Sequence, residues 1–284
     1  MLQIEPLFSG GRDPLPSVPV GLRGVKLQGK GRKVTITAPL AWSDTACSVF
    51  ASHYLREVKG VQETSVLQAI DRLASTTATW ASTDGYMSAE TAQTFRHELA
   101  AMLVFQMWSP NSPAWYNIGV TEHPQLSACF LQSVEDSMES LITLQNAQTR
   151  LFQRGSGTGT NYSTLRPEDE PLSGGGTASG PNSFLKAFDT WGGVTKSGGK
   201  TRRSASMMVL NIDHPDVMGF IRSKADIERM AWDLVDAGHP SDYNGPVFAN
   251  LMHQNANHSV SVTDDFMRAV EQDQVWALRW NGEV

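Results

Sequence analysis

The feature that most constrains the fold of this chain is a change of pattern at Ser109-Pro-Asn-Ser-Pro113. Before it, residues 43–108 carry apolar side chains at helical spacing, as in Phe95, Leu99 and Met102. After it, short apolar runs alternate with helical segments and glycine-rich turns. Strands that alternate with helices are typical of a parallel α/β sheet or barrel. The sequence therefore predicts an α/β fold behind a helical N-terminal region.

The same patterns divide the chain into three predicted segments. Residues 1–33 contain glycines and prolines without a sustained apolar period, so we expect an extended arm there. Residues 34–110 form the predicted helical region, which opens with a short strand at 33–38 and whose last helix is capped by Ser88. Residues 111–284 form the predicted α/β part.

Strands and helices are expected to alternate through the α/β part. The predicted strands cover 127–132, 159–165, 206–212, 260–262 and 276–280, and the predicted helices run from a capping box at Asp136 and Glu139 to Gln153, from Pro181 to 197–199, from 213–216 onward, and over 264–271. Asn281-Gly282 then gives a strong hairpin signal, but the sequence ends at Val284. We therefore expect the second strand of that hairpin to come from outside this sequence, after a split gene, a splicing site or a fragment boundary.

Composition argues against several classes of function. The chain has 23 basic and 29 acidic residues, so its net charge of −6 gives no global reason to bind nucleic acid or a membrane surface. No apolar run approaches the roughly 18 residues of a membrane span, and the N-terminus lacks the pattern of a signal peptide. A cytoplasmic protein is expected. The histidines show no H-E-x-x-H spacing, and we predict no metal site.

Two glycine-rich segments are candidates for ligand binding. In Gly155-Ser-Gly-Thr-Gly159 the alternating glycines allow close approach of the backbone to an anion, although the motif by itself favours a tight helix-to-strand connection. The turn Gly198–Arg203 carries Lys200, Arg202 and Arg203, which suit a phosphate or a base. A solvated basic loop remains the alternative for this turn.

The chain has two cysteines, Cys47 and Cys129, too few for a disulfide framework. Cys47 lies within a helical segment and is predicted to be a packing residue. Cys129 lies in a predicted strand, where a small buried hydrophobe and a reactive thiol are both reasonable. The residues alone leave that choice open.

Nine segments, taken in order, resemble the N-terminal half of the cobalamin-dependent (class II) ribonucleotide reductases. They are 111–117, 124–130, 134–139, 155–159, 172–181, 196–203, 213–216, 255–259 and 262–267. The resemblance extends over about residues 33–284. It implies a ten-stranded α/β barrel made of two half-barrels, of which this chain would supply the helical region and roughly the first half-barrel.

The resemblance also implies a chemistry. In this family a thiyl radical at the barrel centre removes a hydrogen from the ribose, and a separate cysteine pair reduces the 2′ position and becomes a disulfide. Cys129 matches the first member of that pair. Its partner, the radical cysteine and most cobalamin contacts are not in this sequence, so the chain is expected to be inactive without a C-terminal part.

Other site residues follow from the resemblance position by position. The residues that match substrate-binding positions are Ser112, Ala128, Cys129 and Gly157. The residues that match the allosteric deoxynucleotide site are Asp136, Ser137 and Arg166. Lys200, Arg202 and Arg203 fall in the loop that connects the effector with the substrate base and so sets substrate specificity.

The implied activity is that of a ribonucleoside-diphosphate reductase, an oxidoreductase that makes deoxynucleotides for DNA synthesis, here as one part of a split or truncated enzyme. The implied ligands are adenosylcobalamin, a deoxynucleotide effector and a ribonucleotide substrate. The implied partners are a C-terminal reductase chain, a thioredoxin-like reductant and a second copy of the chain. Residues 1–33 are too few for an ATP-binding regulatory domain, so no activity-site regulation is expected.

Two other interpretations remain open at this point. The chain could be a non-catalytic nucleotide-binding module derived from a reductase, or a host fragment that is joined to its other part by protein splicing. Retention of Cys129 favours the enzyme over the pure nucleotide sensor, because a sensor has no need of a redox thiol.

Overall fold

The computed structural model describes residues 1–27, 32–195, 204–242, 245–249, 251 and 253–283. The chain divides into two compact units, Met1–Ala128 and Cys129–Val284. The sequence pattern placed this division near residue 110. The division falls later because Trp115 and Ile118, which follow the change of pattern, pack into the hydrophobic core of the first unit.

The N-terminal unit is mainly helical. Its elements are a 3-10 turn at Leu15–Ser17, β1 (Val20–Lys26), β2 (Lys33–Pro39), α1 (Asp44–His53), β3 (Glu57–Val58), β4 (Val61–Gln62), α2 (Val66–Thr83), α3 (Ala89–Val104) and α4 (Ser112–Asn117). The hydroxyl of Ser88 accepts a hydrogen bond from the backbone N–H of Thr91, which confirms the predicted start of α3.

Residues 1–27 do not form the extended arm that the sequence predicted, because they include a paired strand. β1 pairs with β2 in an antiparallel hairpin along its whole length. Of the β1 side chains only Val25 is buried, so the strand lacks the apolar alternation that would reveal it in the sequence. Further along the arm, the buried carboxylate of Glu98 accepts backbone hydrogen bonds from residues 7–9 at 2.7–3.0 Å.

Aromatic side chains fill the core of the N-terminal unit. The ring of Phe50 meets the rings of Trp42 and Trp115 edge to face, with centroids 5.4 and 5.1 Å apart. Cys47 is fully buried in the same cluster. This burial confirms that Cys47 is a packing residue.

The C-terminal unit is an α/β structure. Its elements are β5 (Cys129–Gln132), α5 (Met138–Gln153), β6 (Gly157–Asn161), α6 (Gly180–Val194), β7 (Ser206–Asn211), α7 (Val217–Asp236), α8 (Pro246–Ala249), β8 (Ala256–Ser261) and α9 (Asp264–Glu271). The strands form a four-stranded parallel sheet in the order β5-β6-β7-β8. The predicted α/β class is confirmed, and consecutive parallel strands joined by helices are what part of an α/β barrel contains.

One face of this sheet is packed into a hydrophobic core. Met208 and Leu210 are completely buried in a cluster with Leu185 of α6 and Phe220 of α7. Beyond the end of β6 the ring of Tyr162 joins the cluster, and its burial raises the pKa of the phenol to about 12. This is the face on which the crossover helices lie.

The opposite face of the sheet is exposed. On that face Leu131 is 95% exposed and Met207 is 39% exposed, and neighbouring positions are the glycines Gly157 and Gly159. Parallel sheets normally have both faces covered, because their crossover connections and surrounding layers bury them. An exposed apolar face on a parallel sheet is what a half-barrel presents when its interior is not filled.

Several predicted boundaries match the structure and others do not. The prediction of α9 is exact in its bounds and α5 ends at Gln153 as expected, but the strand expected at 159–165 is β6, which lies two to four residues earlier. The predicted strand at 276–280 is wrong. Only the hairpin turn is present there, as an antiparallel bridge between Trp280 and Glu283 around Asn281 and Gly282.

Candidate functional site

A cavity of about 300 Å³ lies beyond the carboxyl ends of β5 and β6. Asp136, Ser137 and Arg166, which the sequence predicted together as an effector site, all line it. The other walls are largely apolar and include Leu141, Leu165, Leu172 and Phe184. Cavities with apolar walls and a few convergent polar groups are the usual form of small-molecule sites, and in parallel α/β sheets they lie beyond the carboxyl ends of the strands.

An ion pair stands at one wall of this cavity. The carboxylate of Asp136 accepts hydrogen bonds from Nε of Arg166 at 2.6 Å and from the backbone N–H of Arg166 at 3.2 Å. Among the described residues, only Nε of this guanidinium has a hydrogen-bond partner. The Nη donors are therefore available to an anionic group of a ligand.

The predicted capping box at Asp136 is wrong, because the carboxylate of Asp136 is used by Arg166. The hydroxyl of Ser137 caps α5 instead, accepting from the backbone N–H of Ser140 at 3.2 Å. A capping residue and an ion-pairing residue are hard to tell apart in sequence when both are polar and adjacent. The partner of Asp136 lies 30 positions away.

The first residues of two helices line the cavity. Ser137 and Met138 belong to the start of α5, and Ser179 and Gly180 to the start of α6. The side chain of Ser179, at the N-cap of α6, makes no capping hydrogen bond to this helix. Helix N-termini carry partial positive charge and unsatisfied N–H groups, which together with Arg166 favour an anionic ligand.

The sequence interpretation missed the contribution of Gly180. This residue has φ +66°, and a Cβ there would lie 2.7 Å from Oδ2 of Asp216 and 2.8 Å from the backbone nitrogen of Glu168. Only glycine fits such a left-handed, crowded position. The signal that could have identified it is a glycine directly before Pro181 at a helix start.

Cys129 lies at the other end of the sheet, at the amino end of β5. Its side chain is exposed, and its backbone is paired in register with that of Gly157 in β6. A Cβ on Gly157 would lie 3.4 Å from Sγ of Cys129 and 3.0 Å from the carbonyl oxygen of Ala205. The missing side chain therefore leaves space beside the thiol, and the thiol is not a buried packing group.

The remaining predicted substrate residues belong to the N-terminal unit. Ser112 is the first residue of α4, with its Oγ 3.3 Å from Oη of Tyr54. Ala128 is half-buried and directly precedes Cys129. The structure thus brings Cys129 and Gly157 together within one unit and assigns Ser112 and Ala128 to the other.

The structure describes one of the two glycine-rich segments, Gly155–Gly159, but not the basic residues of the other. In Gly155–Gly159 the first glycine has φ +85° just after α5, and Gly157 and Gly159 belong to β6. The segment is therefore both a helix-to-strand connection and the strand beside Cys129. Lys200, Arg202 and Arg203 of the predicted specificity loop lie outside the described residues.

The described part of the chain holds no candidate for a metal cluster or a membrane span. There, no group of three or more His, Cys, Asp or Glu side chains is arranged to hold a metal ion. None of the helices among the described residues combines the length and apolarity needed to cross a bilayer.

Comparison with known families agrees with the two-unit division. A family model described as the class II vitamin B12-dependent ribonucleotide reductase matches residues 30–106, and one described as the ribonucleotide reductase barrel domain matches residues 127–283. The chain belongs to the class II, vitamin B12-dependent ribonucleotide reductase family. The barrel match spans the parallel sheet, the cavity and Cys129.

Curated relatives of this reductase family cover nearly all of the chain. The vitamin B12-dependent ribonucleotide reductase of Streptomyces clavuligerus is 43% identical over 87% of the chain, and that of Rhodopirellula baltica is 37% identical over 95% of it. A vitamin B12-dependent ribonucleoside-diphosphate reductase of Mycobacterium tuberculosis is 36% identical over 84%. The chain spans only 26%, 30% and 31% of the length of these relatives, respectively.

The family implies a cobalamin cofactor. Four of the cavities among the described residues have volumes of about 300 to 450 Å³, which suit drug-sized or smaller ligands. Cobalamin is several times larger than such ligands. None of these four cavities is therefore large enough to enclose it.

Proposed function

We propose that this chain supplies the nucleotide-binding loops and one reducing thiol of a B12-dependent ribonucleotide reductase whose radical chemistry resides in a C-terminal part. The observation that carries the proposal is the exposed thiol of Cys129 beside Gly157, on the uncovered face of a parallel sheet. A thiol kept only for packing would be buried, as Cys47 is.

The proposed role of Cys129 is to deliver reducing equivalents to the sugar. Two thiols lose two electrons and two protons and form a disulfide, while C2′ of the ribonucleotide gains a C–H bond and its hydroxyl leaves as water. The only other cysteine of this sequence, Cys47, is completely buried in the core of the N-terminal unit. The second thiol must therefore come from the C-terminal part, and a thioredoxin-like dithiol reduces the disulfide afterwards.

In this proposal the substrate is a ribonucleoside diphosphate. Support for the diphosphate comes from the M. tuberculosis relative, which is named a ribonucleoside-diphosphate reductase. Ser112 contacts the substrate phosphate, Ala128 and Cys129 line the ribose, and Gly157 lets the backbone approach it. Each of these roles is inferred from the family resemblance.

The cavity at the carboxyl ends of β5 and β6 is the proposed deoxynucleotide effector site. Support comes from its ion pair of Asp136 and Arg166, the capped helix start at Ser137 and the uncapped start of α6. The specificity loop with Lys200, Arg202 and Arg203 would then relay the identity of the effector to the substrate base. A non-catalytic nucleotide-binding module is the second candidate, because all groups of this cavity come from the present chain.

The missing part of the enzyme would cover the exposed face of the sheet. It would bring the radical cysteine, the second reducing thiol and the site for adenosylcobalamin. The outer strands β5 and β8 offer unpaired edges of the described sheet on which further strands, or a second copy of the chain, can dock. No turnover is expected from the 284-residue chain alone.

The test is reconstitution of the chain with its C-terminal part, adenosylcobalamin, a dithiol and a ribonucleoside diphosphate, with deoxynucleotide measured by chromatography. The wild-type mixture should form deoxynucleotide, and Cys129→Ser should lower the rate to below about one thousandth. The matched control is Cys47→Ala, which removes the buried thiol and should retain turnover. Full activity of Cys129→Ser would contradict the catalytic role, and nucleotide binding without any turnover in the wild-type mixture would favour the regulatory module.

A further inference from the structure

The segment Asp213-His-Pro-Asp216, between β7 and α7, has no part in the function proposed so far. The ring of His214 in this segment is 2% exposed. Its Nε2 lies 2.9 Å from the carbonyl oxygen of Leu165, and its Nδ1 lies 3.1 Å from the backbone nitrogen of Asp216. Because a carbonyl accepts and an amide N–H donates, the ring carries its proton on Nε2 and leaves Nδ1 as an acceptor.

Asp216 holds the same loop at a second point. Its Oδ2 accepts a hydrogen bond from the backbone N–H of Glu168 at 2.9 Å. The carbonyl of Leu165 and the amide of Glu168 flank Arg166 and Pro167 on either side. Besides the bonds from Asp136 to Arg166 itself, the loop that presents Arg166 to the cavity is therefore held on either side by the His214 segment.

Asp216 also contacts the opposite wall of the cavity. Its Oδ2 is so close to Gly180 that a Cβ there would lie only 2.7 Å away, and its carbonyl oxygen accepts from the side-chain amide of Asn182 at 3.2 Å. Gly180 and Asn182 belong to the first turn of α6. One carboxylate thus touches both the Arg166 loop and the helix start that faces it.

We propose that His214 and Asp216 are positioning residues that hold Arg166 at a fixed place relative to the start of α6, and thereby set the affinity of the cavity for a nucleotide phosphate. This inference rests on the proposed effector site. A positioning role explains why a buried imidazole has both ring nitrogens in hydrogen bonds to backbone groups of the site wall. Through His214 and Asp216, a movement of the backbone at the end of β7 would also displace the loop that carries Arg166.

The test is calorimetric titration of the 284-residue chain with each of the four deoxynucleoside triphosphates. His214→Asn removes the donor that reaches Leu165 and should weaken binding roughly tenfold, as expected for one lost hydrogen bond. His214→Gln has a longer amide that can donate to the same carbonyl, so it should bind within about threefold of wild type. Asp216→Ala, at a half-exposed position, should also weaken binding and provides a second variant should the buried substitution prevent folding.

A double-mutant cycle with Arg166→Gln separates positioning from general destabilisation. If His214 acts through Arg166, adding His214→Asn to Arg166→Gln should cost no further affinity, and binding of the phosphate-free deoxynucleosides should be unchanged. Equal losses in both backgrounds, or wild-type binding by His214→Asn and Asp216→Ala, would overturn the positioning role. Absence of binding by the wild-type chain would instead overturn the nucleotide site itself.

Discussion

The two ends of the parallel sheet differ in how much of their site this chain provides. At the carboxyl ends of the strands, Asp136 is paired with Arg166 and His214 is hydrogen-bonded at both ring nitrogens. At the amino ends, the thiol of Cys129 is exposed and Leu131, on the same face of β5, is 95% exposed. At the carboxyl ends the polar side chains have hydrogen-bond partners within the chain, whereas at the amino ends the thiol lies on an uncovered surface.

Under the proposed function, this difference makes nucleotide binding and reduction separable properties of the fold. The cavity is lined by residues that follow β5 and β6, and His214 after β7 supports its wall at Leu165, so these elements are enough to form it. In the same proposal, reduction uses groups that face the open side of the sheet, and a covering structure supplies those that this chain lacks. We therefore expect the chain alone to bind nucleotide but not to turn it over.

Of the substitutions that test the difference between the two ends of the sheet, Gly180→Ala is expected to have the largest effect on stability. The substitution places a Cβ at φ +66° against Asp216 and Glu168, and should lower the free energy of unfolding of the C-terminal unit by about 3 kcal/mol. Gly175→Ala is the matched control, because Gly175 also has positive φ but has no atom within 4 Å of the added Cβ. It should cost about 1 kcal/mol.

Urea denaturation measures both stabilities, and calorimetric titration measures nucleotide binding. Gly180→Ala should also weaken nucleotide binding, and should leave the reaction of Cys129 with a thiol reagent unchanged in the folded chain. Similar stabilities of the two variants would show that the wall of the cavity is not the tightly packed structure described above. A changed reactivity of Cys129 would show that the two ends of the sheet are not independent.

A smaller effect on stability is expected from Gly157→Ala at the amino end. The added Cβ would lie 3.0 Å from the carbonyl oxygen of Ala205, which must shift by a few tenths of an ångström, and 3.4 Å from Sγ of Cys129, which is an ordinary van der Waals contact. Because only one neighbour must shift, and by so little, the cost should be about 1 kcal/mol. Nucleotide affinity should be unchanged, while the rate at which Cys129 reacts with a thiol reagent should change. Loss of nucleotide binding in this variant would contradict the separation of the two regions.

Elements with strong local signals could be predicted from the sequence. The N-cap at Ser88, the end of α5 at Gln153 and the bounds of α9 all follow from caps and apolar spacing within a few residues. β1 escaped prediction because its pairing with β2 stabilises a strand that buries only Val25. The predicted strand at 276–280 was wrong because apolar residues without a neighbouring strand do not form one.

In the candidate site, too, the sequence indicated some residues but not the long-range contacts between them. The resemblance to the family named Asp136, Ser137 and Arg166, and the structure places all three at one cavity. It could not give the contacts of Asp216 with Gly180 and Glu168, because these join residues 36 to 48 positions apart through backbone atoms that carry no sequence signal. Long-range contacts to the backbone are the part of a site that cannot be predicted from a single sequence.

The central claim is that Cys129 is one of the two thiols oxidised during reduction of the nucleotide. The most direct measurement is a single turnover of the reconstituted enzyme without added dithiol, followed by alkylation of free thiols and mass spectrometry of the peptides. We predict that each deoxynucleotide formed is matched by one disulfide between Cys129 and a cysteine of the C-terminal part, with Cys47 still a thiol. Formation of deoxynucleotide while Cys129 remains alkylatable would contradict the claim.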